Sequence, residues 1–204
     1  MVAIIDYQAG NIASIQNMLK RIGADAIVTA DSHRLSEASY LILPGVGAFD
    51  YGMAKLKELD LLPILQKRVM EDKVPILGIC LGAQLMCNRS EEGILPGLGW
   101  IDADVKKFPT DADGNRYRVP HMGWETIARK KNSKLLQDLP DPSRFYFVHS
   151  YYINCREPED KLLINQYGVN YDSAFERDNI LGVQFHPEKS HNFGKQLLKN
   201  FIGL

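Results

Sequence analysis

The residues best placed to do chemistry begin with Cys80, which stands between two glycines at the end of an apolar run. Residues 76–79 are typical of a buried strand, and Gly78 and Gly82 flank the cysteine in a G-x-C-x-G pattern. That spacing is the cysteine form of the nucleophile elbow, a sharp strand-to-helix turn that lifts one side chain above a sheet. A lone cysteine is more often a plain core residue, so the interpretation depends on a partner elsewhere in the chain.

A histidine and a glutamate follow a second, mostly apolar strand far downstream of the cysteine. Histidine is the natural base for a thiol nucleophile, because its pKa lies close to neutral pH. A carboxylate such as Glu188, two residues after His186, can hold the imidazole tautomer and stabilise the imidazolium. His-Pro-Glu alone also fits a histidine in a surface turn. Together with the elbow, it predicts a catalytic triad of Cys80, His186 and Glu188.

The first half of the chain alternates between strand and helix patterns. Helical spacing of Ile12, Ile15 and Leu19 predicts a helix over residues 11–22, with Gly23 as its stop. Similar patterns predict strands at 2–6, 27–29, 40–43 and 76–79, and helices at 53–59 and 63–70, with a further helix starting at or just after Cys80. Such alternation is typical of a mainly parallel sheet covered by helices on both faces.

The second half is richer in strands. They are predicted at 100–108, 116–124, 144–152, 161–165, 174–176 and 180–185, with a polar turn at 110–115 and a closing helix at 193–202. Consecutive strands imply antiparallel additions to the sheet. We therefore expect an α/β fold with a central, mainly parallel sheet, and a single domain over residues 1–204.

Composition argues against several classes of function. Lys and Arg total 24 and Asp and Glu total 25, so a formal net charge of −1 gives no reason to expect nucleic acid or an anionic membrane as a partner. No apolar run approaches the ~18 residues that a membrane-spanning helix needs. The three cysteines are odd in number and lack metal-ligand spacing, which favours a cytoplasmic protein without a metal site. Cys87 and Cys155 are expected in the core.

A glycine-rich turn is expected beside the cysteine. Active sites of mainly parallel sheets lie at the carboxyl ends of the strands. Gly45-Val46-Gly47 follows the predicted strand 40–43, so it would share that edge with Cys80. Its backbone N–H groups, together with that of Leu81, can stabilise the oxyanion that forms when a thiolate attacks an amide. The tripeptide by itself also fits an ordinary tight turn.

These features together resemble the class I (triad) glutamine amidotransferases. Further segments that match the family cover nearly the whole chain: Ile5-Asp6-Tyr7 with Gly10-Asn11, Pro44-Gly45-Val46-Gly47-Ala48-Phe49, Pro120-His121-Met122-Gly123-Trp124 and Phe145-Tyr146-Phe147-Val148-His149-Ser150-Tyr151. The resemblance implies a flavodoxin-like fold and the hydrolysis of glutamine to glutamate and ammonia. It implies no cofactor.

The resemblance also implies which residues hold glutamine. Gln84 and Glu92 would hold its amino-acid end, with backbone groups of Ser150 and Tyr151. Gln84 lies four residues after Cys80, on the same face of the predicted helix. Glu92 considered alone would fit a solvated loop residue beside another glutamate.

The finer resemblance, to the glutaminase subunits of histidine biosynthesis, implies a heterodimer partner. That partner is a synthase (cyclase) subunit, which uses the ammonia to make imidazole glycerol phosphate and AICAR. Met122 and Trp124 are the implied contacts, while Tyr146 and Lys189 would lie near the entrance to the ammonia path. Tryptophan is a common interface residue, although a hairpin tryptophan packed on the core fits the sequence equally well.

Glu125 departs from the family, which usually has asparagine at this position. Because Glu125 would lie at the partner face, the identity of the partner stays open. Some relatives supply ammonia for the amidination of surface sugars such as lipopolysaccharide. Two other classes also remain. A non-catalytic interaction subunit has no need of Cys80, His186 and Glu188 together. A cysteine hydrolase on a similar sheet would turn over without glutamine and without a partner.

Overall fold

Fifteen strands and six α-helices make up the computed structural model, which describes residues 1–204. The elements of the first half alternate along the chain: β1 Val2–Ile5, α1 Ile12–Arg21, β2 Ala26–Thr29, α2 Ser32–Glu37, β3 Tyr40–Leu43, α3 Phe49–Glu58, α4 Leu62–Gln66, β4 Ile76–Ile79 and α5 Leu81–Leu85. Most of the second half is β-structure: β5 Arg89–Ser90, β6 Ala103–Lys107, β7 Asp111–Ala112, β8 Asn115–Arg116, β9 His121–Thr126, β10 Ala128–Arg129, β11 Arg144–His149, β12 Tyr151–Cys155, β13 Lys161–Tyr167, β14 Val169–Arg177 and β15 Ile180–Val183, before α6 His191–Phe201.

One large sheet runs through the molecule in the order β2-β1-β3-β4-β15-β14-β12-β6-β5. Its first five strands are parallel, and β14, β12 and β6 continue it in antiparallel fashion. Strand β13 pairs with β14 and with β10 beside this path, while β9 and β11 form a separate two-stranded ribbon. The prediction of a mainly parallel sheet with antiparallel additions is confirmed.

Helices cover both faces of the sheet. Buried strands of a parallel sheet expose alternate side chains to opposite faces, and in β1 Ala3 joins one core cluster while Ile4 joins the other. Side chains of α3 and α4 pack in the cluster of Ala3, and side chains of α1 and α6 pack in that of Ile4. Burying one such Ile or Leu side chain stabilises the fold by ~1.5–3 kcal/mol, so both clusters hold the helices against the strands. No helix is both long and apolar enough to cross a bilayer.

Several predicted boundaries were wrong, each for a local reason. The predicted strand 144–152 is two strands, because the chain leaves the β9–β11 ribbon at Ser150 and then joins the main sheet as β12. The predicted strand 116–124 begins only at His121, after Pro120, which has no N–H for a ladder. Residues of the predicted turn 110–115 form, together with Arg116, the short hairpin β7–β8.

The helices differ from prediction at their ends. The predicted helix 53–59 begins earlier, at Phe49, because the Glu92 carboxylate accepts the N–H of Phe49 from a distant loop. The predicted helix 63–70 is α-helical only to Gln66 and then widens into a π-turn over Lys67–Glu71. Helix α2 was not predicted, although the Asp31 side chain accepts the N–H of Arg34 as an N-cap does.

Candidate active site

The turn at Cys80 has the geometry of a nucleophile elbow. Cys80 follows β4, precedes α5 and has φ +52° and ψ −110°, a conformation that non-glycine residues seldom adopt. Its N–H donates to the carbonyl of Val183 at 2.8 Å, so the neighbouring strand β15 holds the turn in place. The thiol is thereby presented at the carboxyl edge of the parallel strands.

The two glycines beside the cysteine are required by close packing. A Cβ on Gly82 would collide with the carbonyl oxygen of Leu43, at the end of β3. A Cβ on Gly78 would lie 2.7 Å from the Cα and N of Ala83 in α5. Helix α5 can therefore approach both strands only because these two positions carry no side chain.

Replacing Gly82 by alanine is expected to lower the free energy of unfolding by ~2 kcal/mol or more, because the added methyl group meets backbone that cannot rotate away. Thermal unfolding should show a fall in Tm of roughly 4–8 °C. Gly203→Ala is the matched control, because its nearest contacts would be at 3.5 and 3.6 Å. Equal melting temperatures for the two variants would contradict the packing argument.

His186 and Glu188 lie at the end of β15, next to Cys80. The Nδ1 atom of His186 is 2.8 Å from Oε1 of Glu188, and both side chains are 1% exposed. A carboxylate accepts at this distance, so Nδ1 carries the proton and Nε2 is left to face the pocket. Nε2 has no hydrogen-bond partner within the chain. The backbone of His186 is fixed in turn, since its N–H donates to the carbonyl of Tyr146 at 2.9 Å.

The electrostatics of the site favour a protonated histidine. Burial lowers the pKa of His186, but the contacts with Cys80 and Glu188 outweigh it and raise that pKa to about 9. Proton transfer from Cys80 to His186 is therefore favoured by the carboxylate behind the ring. This arrangement can generate a nucleophile and then return a proton to a leaving group.

A cavity of about 350 Å³ opens above Cys80. This volume lies within the ~300–1,000 Å³ range of ligand pockets. Nine of its lining residues were assigned a site role by sequence analysis: Val46, Gly47, Cys80, Leu81, Gln84, Glu92, Ser150, Tyr151 and His186. The other three, Pro120, Val148 and His149, lie in segments that match the family but were assigned no site role. Glu188 lies behind His186, outside the cavity, and Gly45 lies beneath it, where a Cβ would be 2.7 Å from that of Leu81.

The glycine-rich turn forms an open wall of the cavity. Val46 is 44% exposed, and Gly47 has φ +106°, a left-handed value that favours glycine. The N–H groups of Val46 and Gly47 donate no hydrogen bond within the chain. The Tyr7 hydroxyl donates to the carbonyl of Pro44 and so anchors the residue that precedes the turn. These two N–H groups are thus free to bind an anion.

Gln184 is a site residue that sequence reasoning missed. Its side chain is fully buried, and its Nε2 lies 3.7 Å from Sγ of Cys80. Its Oε1 accepts from Nε2 of Gln84 at 3.0 Å, and the same Nε2 donates to the carbonyl of Tyr151 at 3.1 Å. The available signal was a polar residue inside the otherwise apolar strand predicted at 180–185, two positions before His186. These bonds orient the Gln84 amide toward the backbone of the opposite wall.

His149, which lies in a segment that matches the family, is a second residue to which sequence reasoning assigned no role. Its Nδ1 donates to the carbonyl of Tyr151 at 2.8 Å, which leaves Nε2 to accept from Nδ1 of His121 at 3.2 Å. Burial, followed by the charges of His121 and His186, lowers the pKa of His149 to about 3, although the Tyr151 carbonyl opposes the shift. His149 is therefore neutral and stabilises the cavity wall without competing with His186 as a base.

The residues predicted at a partner interface lie together on the β9–β11 ribbon and the turn beside it. Met122 is 60% exposed. The Trp124 ring stacks on His191 at 5.4 Å between centroids and meets the edge of Tyr146 at 6.2 Å. The Lys189 ammonium lies 5.6 Å above the Tyr146 ring. Trp124 is thus packed on neighbouring rings and half-buried, while Met122 is open to solvent.

The other two cysteines are core residues, as expected. Cys87 and Cys155 are both buried and free. Burial raises the pKa of each thiol, with negative charges nearby adding to the shift. Both thiols are therefore protonated and unreactive.

Comparison with known proteins supplies a family and close relatives. The family model described as "Glutamine amidotransferase class-I" matches residues 3–203. A protein named "Imidazole glycerol phosphate synthase subunit HisH 2" from Methanococcus maripaludis is 52% identical over 202 residues, covering 99% of this chain and 98% of that protein. One of the same name from Pseudomonas aeruginosa is 49% identical over 204 residues, covering 100% of both.

Solved structures share the fold at low sequence identity. A putative GMP synthase subunit from Thermoplasma acidophilum superposes with a TM-score of 0.73 at 23% identity, covering 99% of this chain and 92% of that one. A CTPS glutaminase domain from Trypanosoma brucei, with bound acivicin, gives a TM-score of 0.66 at 14% identity, covering 99% and 93%. At these identities the likeness shows the fold alone.

Proposed function

The chain belongs to the class-I glutamine amidotransferases, and we propose that it is the glutaminase subunit of an imidazole glycerol phosphate synthase. In this role it hydrolyses glutamine to glutamate and ammonia and passes the ammonia to a cyclase subunit in histidine biosynthesis. Full-length relatives of that name, at 52% and 49% identity, support the assignment. A reducing cytoplasm suits three free cysteines, so we place the complex there.

One observation carries the proposal. Cys80 and His186 stand at the ends of neighbouring parallel strands, where Ile79 of β4 is in register with Val183 of β15. Glu188 holds the histidine through a 2.8 Å bond. The three side chains come from two segments, and the parallel register alone brings them to one edge of the sheet.

The proposed reaction proceeds in two steps. His186 takes the proton of Cys80, and the sulfur attacks the carboxamide carbon of glutamine to form a tetrahedral oxyanion. The C–N bond then breaks, His186 gives its proton to the leaving nitrogen, and ammonia departs from a thioester. Water, losing a proton to His186, attacks the thioester and releases glutamate, and the proton returns to Cys80. Glu188 stabilises the imidazolium at each stage.

Backbone donors are proposed to stabilise the oxyanion. The candidates are N–H groups of Gly45-Val46-Gly47 and the N–H of Leu81, at the start of α5. One such donor typically contributes ~3 kcal/mol to lowering the barrier. Val46 and Gly47 line the cavity and leave their N–H groups unpaired within the chain, which supports this role.

Glutamine is proposed to bind through Gln84, Glu92 and the backbone of Ser150 and Tyr151. All four line the cavity around Cys80. The Glu92 carboxylate supplies a negative charge for the ammonium group of the substrate, and the amide of Gln84 is oriented by its bond to the Tyr151 carbonyl. The partner is proposed to dock on the face that carries Met122, Trp124, Tyr146 and Lys189. This face lies next to the cavity, because the carbonyl of Tyr146 accepts the N–H of His186, which lines the cavity.

The test is glutamate release by this chain, alone and mixed with the histidine-pathway cyclase from the same source and the nucleotide substrate of that cyclase. We expect strong stimulation by the complex, because docking and substrate binding complete the ammonia path. Glutamate release that is unchanged by the cyclase, with Cys80 still labelled by a glutamine-like electrophile, would leave a competent glutaminase with another partner.

Glu125 favours a second candidate partner. Its carboxylate lies 3.5 Å from Nε2 of His121 and is 46% exposed on the strand that carries Met122 and Trp124. A charge in place of the neutral amide that is usual in the family alters the proposed docking face. An ammonia-supplying role in surface-sugar amidination is therefore the alternative if the histidine-pathway cyclase does not stimulate the chain.

A further inference from the structure

Helix α3 and the loop that carries Glu92 are joined by hydrogen bonds in both directions, in which a carboxylate of each segment accepts backbone N–H groups of the other. Oε2 of Glu92 accepts the N–H of Phe49 at 2.8 Å. In the other direction, Oδ1 of Asp50 accepts the N–H groups of Ile94 and Leu95 at 3.1 and 3.0 Å, and its Oδ2 lies 3.0 Å from the N–H of Ile94. We call these five residues the Asp50–Glu92 brace.

The brace takes the place of local capping at helix α3. The residue before the helix is Ala48, which has no side chain to accept a hydrogen bond. The first turn of a helix leaves its N–H groups without intrahelical partners, and an unpaired donor away from water is costly. Glu92 supplies the missing acceptor from 43 positions away, and its negative charge suits a helix N-terminus. The start of α3 therefore depends on the position of the Glu92 loop.

The loop also depends on the helix. A Cβ on Gly93 would collide with the Asp50 carboxylate, so the backbone passes directly against it. Only one oxygen of Glu92 bonds to Phe49, which leaves the other for a ligand. The brace thus connects two walls of one cavity, since Glu92 lines one wall and Val46 and Gly47, just before α3, line another.

We propose that Asp50 is a positioning residue for glutamine recognition, which acts by holding the Glu92 carboxylate toward the ammonium group of the substrate. The inference rests on the proposed function, and it adds a residue outside the cavity to those that determine affinity. Glu92 and Tyr151 line the same cavity, and Glu92 is close enough to act on Tyr151 by its charge. Burial raises the pKa of the Tyr151 hydroxyl, and the negative charge of Glu92 raises it further.

Labelling of Cys80 by two electrophiles tests the proposal without any partner subunit. A chloroketone analogue of glutamine carries the ammonium and carboxylate groups, whereas iodoacetamide carries neither. In Asp50→Ala we expect the half-saturating concentration of the analogue to rise about tenfold, equivalent to ~1.4 kcal/mol. The rate of alkylation by iodoacetamide should stay unchanged, because the thiol and His186 are untouched. In glutamine turnover the same loss should raise KM and leave kcat within about twofold.

Matched variants separate positioning from a general loss of structure. Glu58→Ala removes a carboxylate from the end of the same helix, where it pairs with Lys55 at 2.9 Å on the surface. This variant should change neither the half-saturating concentration of the analogue nor the rate of alkylation by iodoacetamide. Asp50→Asn keeps one acceptor oxygen and should restore part of the affinity for the analogue. If Asp50 acts through Glu92, Asp50→Ala should add less than about twofold in a Glu92→Ala background.

Two results would overturn the proposal. One is an unchanged half-saturating concentration of the analogue in Asp50→Ala. The other is an effect of Asp50→Ala that remains at full size when Glu92 is already alanine. Failure of the proposed function would be seen separately, as labelling of the unmodified chain by iodoacetamide but not by the analogue.

Discussion

Cys80→Ala is expected to abolish glutamate release, lowering kcat by on the order of 10⁴-fold or more, because no other group in the cavity can form the thioester. The change removes only Sγ and leaves the elbow between two close-packed glycines. Glutamate release by the complex with the cyclase partner is the measurement. Binding of the cyclase by the variant should be retained, because the proposed docking residues lie on the β9–β11 ribbon and the turn after β15.

Cys155→Ala is the matched control for the nucleophile. Cys155 is also buried and free, but it lies at the end of β12 among core side chains and does not line the cavity. Its replacement should leave glutamate release within a fewfold of the unmodified chain. Glutamate release by Cys80→Ala at the level of Cys155→Ala would remove Cys80 from the mechanism.

Glu188→Gln is expected to lower kcat by on the order of 10²-fold or more and to change the pH dependence of the reaction. Burial lowers the pKa of His186, but Cys80 and the Glu188 carboxylate, which is bonded to the ring at 2.8 Å, raise it to about 9 in the intact site. Above this pH the imidazolium loses its proton and can no longer protonate the leaving nitrogen. In the unmodified chain kcat/KM should therefore fall as the pH rises through about 9.

The direction of the pH change follows from the lost charge. The side-chain amide that replaces the Glu188 carboxylate is a neutral acceptor. It stabilises the His186 imidazolium less, so the pKa of His186 falls. The alkaline limb of kcat/KM should then move to lower pH in Glu188→Gln. Glu157 is exposed, and its side chain has no hydrogen-bond or ion-pair partner. Glu157→Gln should therefore leave kcat and the alkaline limb of kcat/KM unchanged. A reduced rate in Glu188→Gln with an unshifted limb would show that Glu188 does not act through His186.

Much of the fold could be predicted because its patterns are local. Strand β4, helix α1 and the elbow each consist of residues that are adjacent or one turn apart, and their apolar spacing is visible in the chain. Boundaries failed where a distant group decides them. Helix α3 starts at Phe49 because a carboxylate 43 positions away accepts its N–H, and no local pattern contains that information.

The chain's own residues determined the family, the glutaminase chemistry and the candidate triad, because an elbow and a His-Pro-Glu segment are short enough to be recognised without a structure. Only the tertiary structure decided which other groups face the sulfur. Gln184 approaches Cys80 because the register of β15 on β4 sets Val183 opposite Ile79, and a shift of one residue would turn its side chain to the other face. The Asp50–Glu92 brace likewise joins two segments that only packing brings together. Contacts of this kind depend on how strands and helices meet, and the spacing of residues along one strand or helix does not specify that.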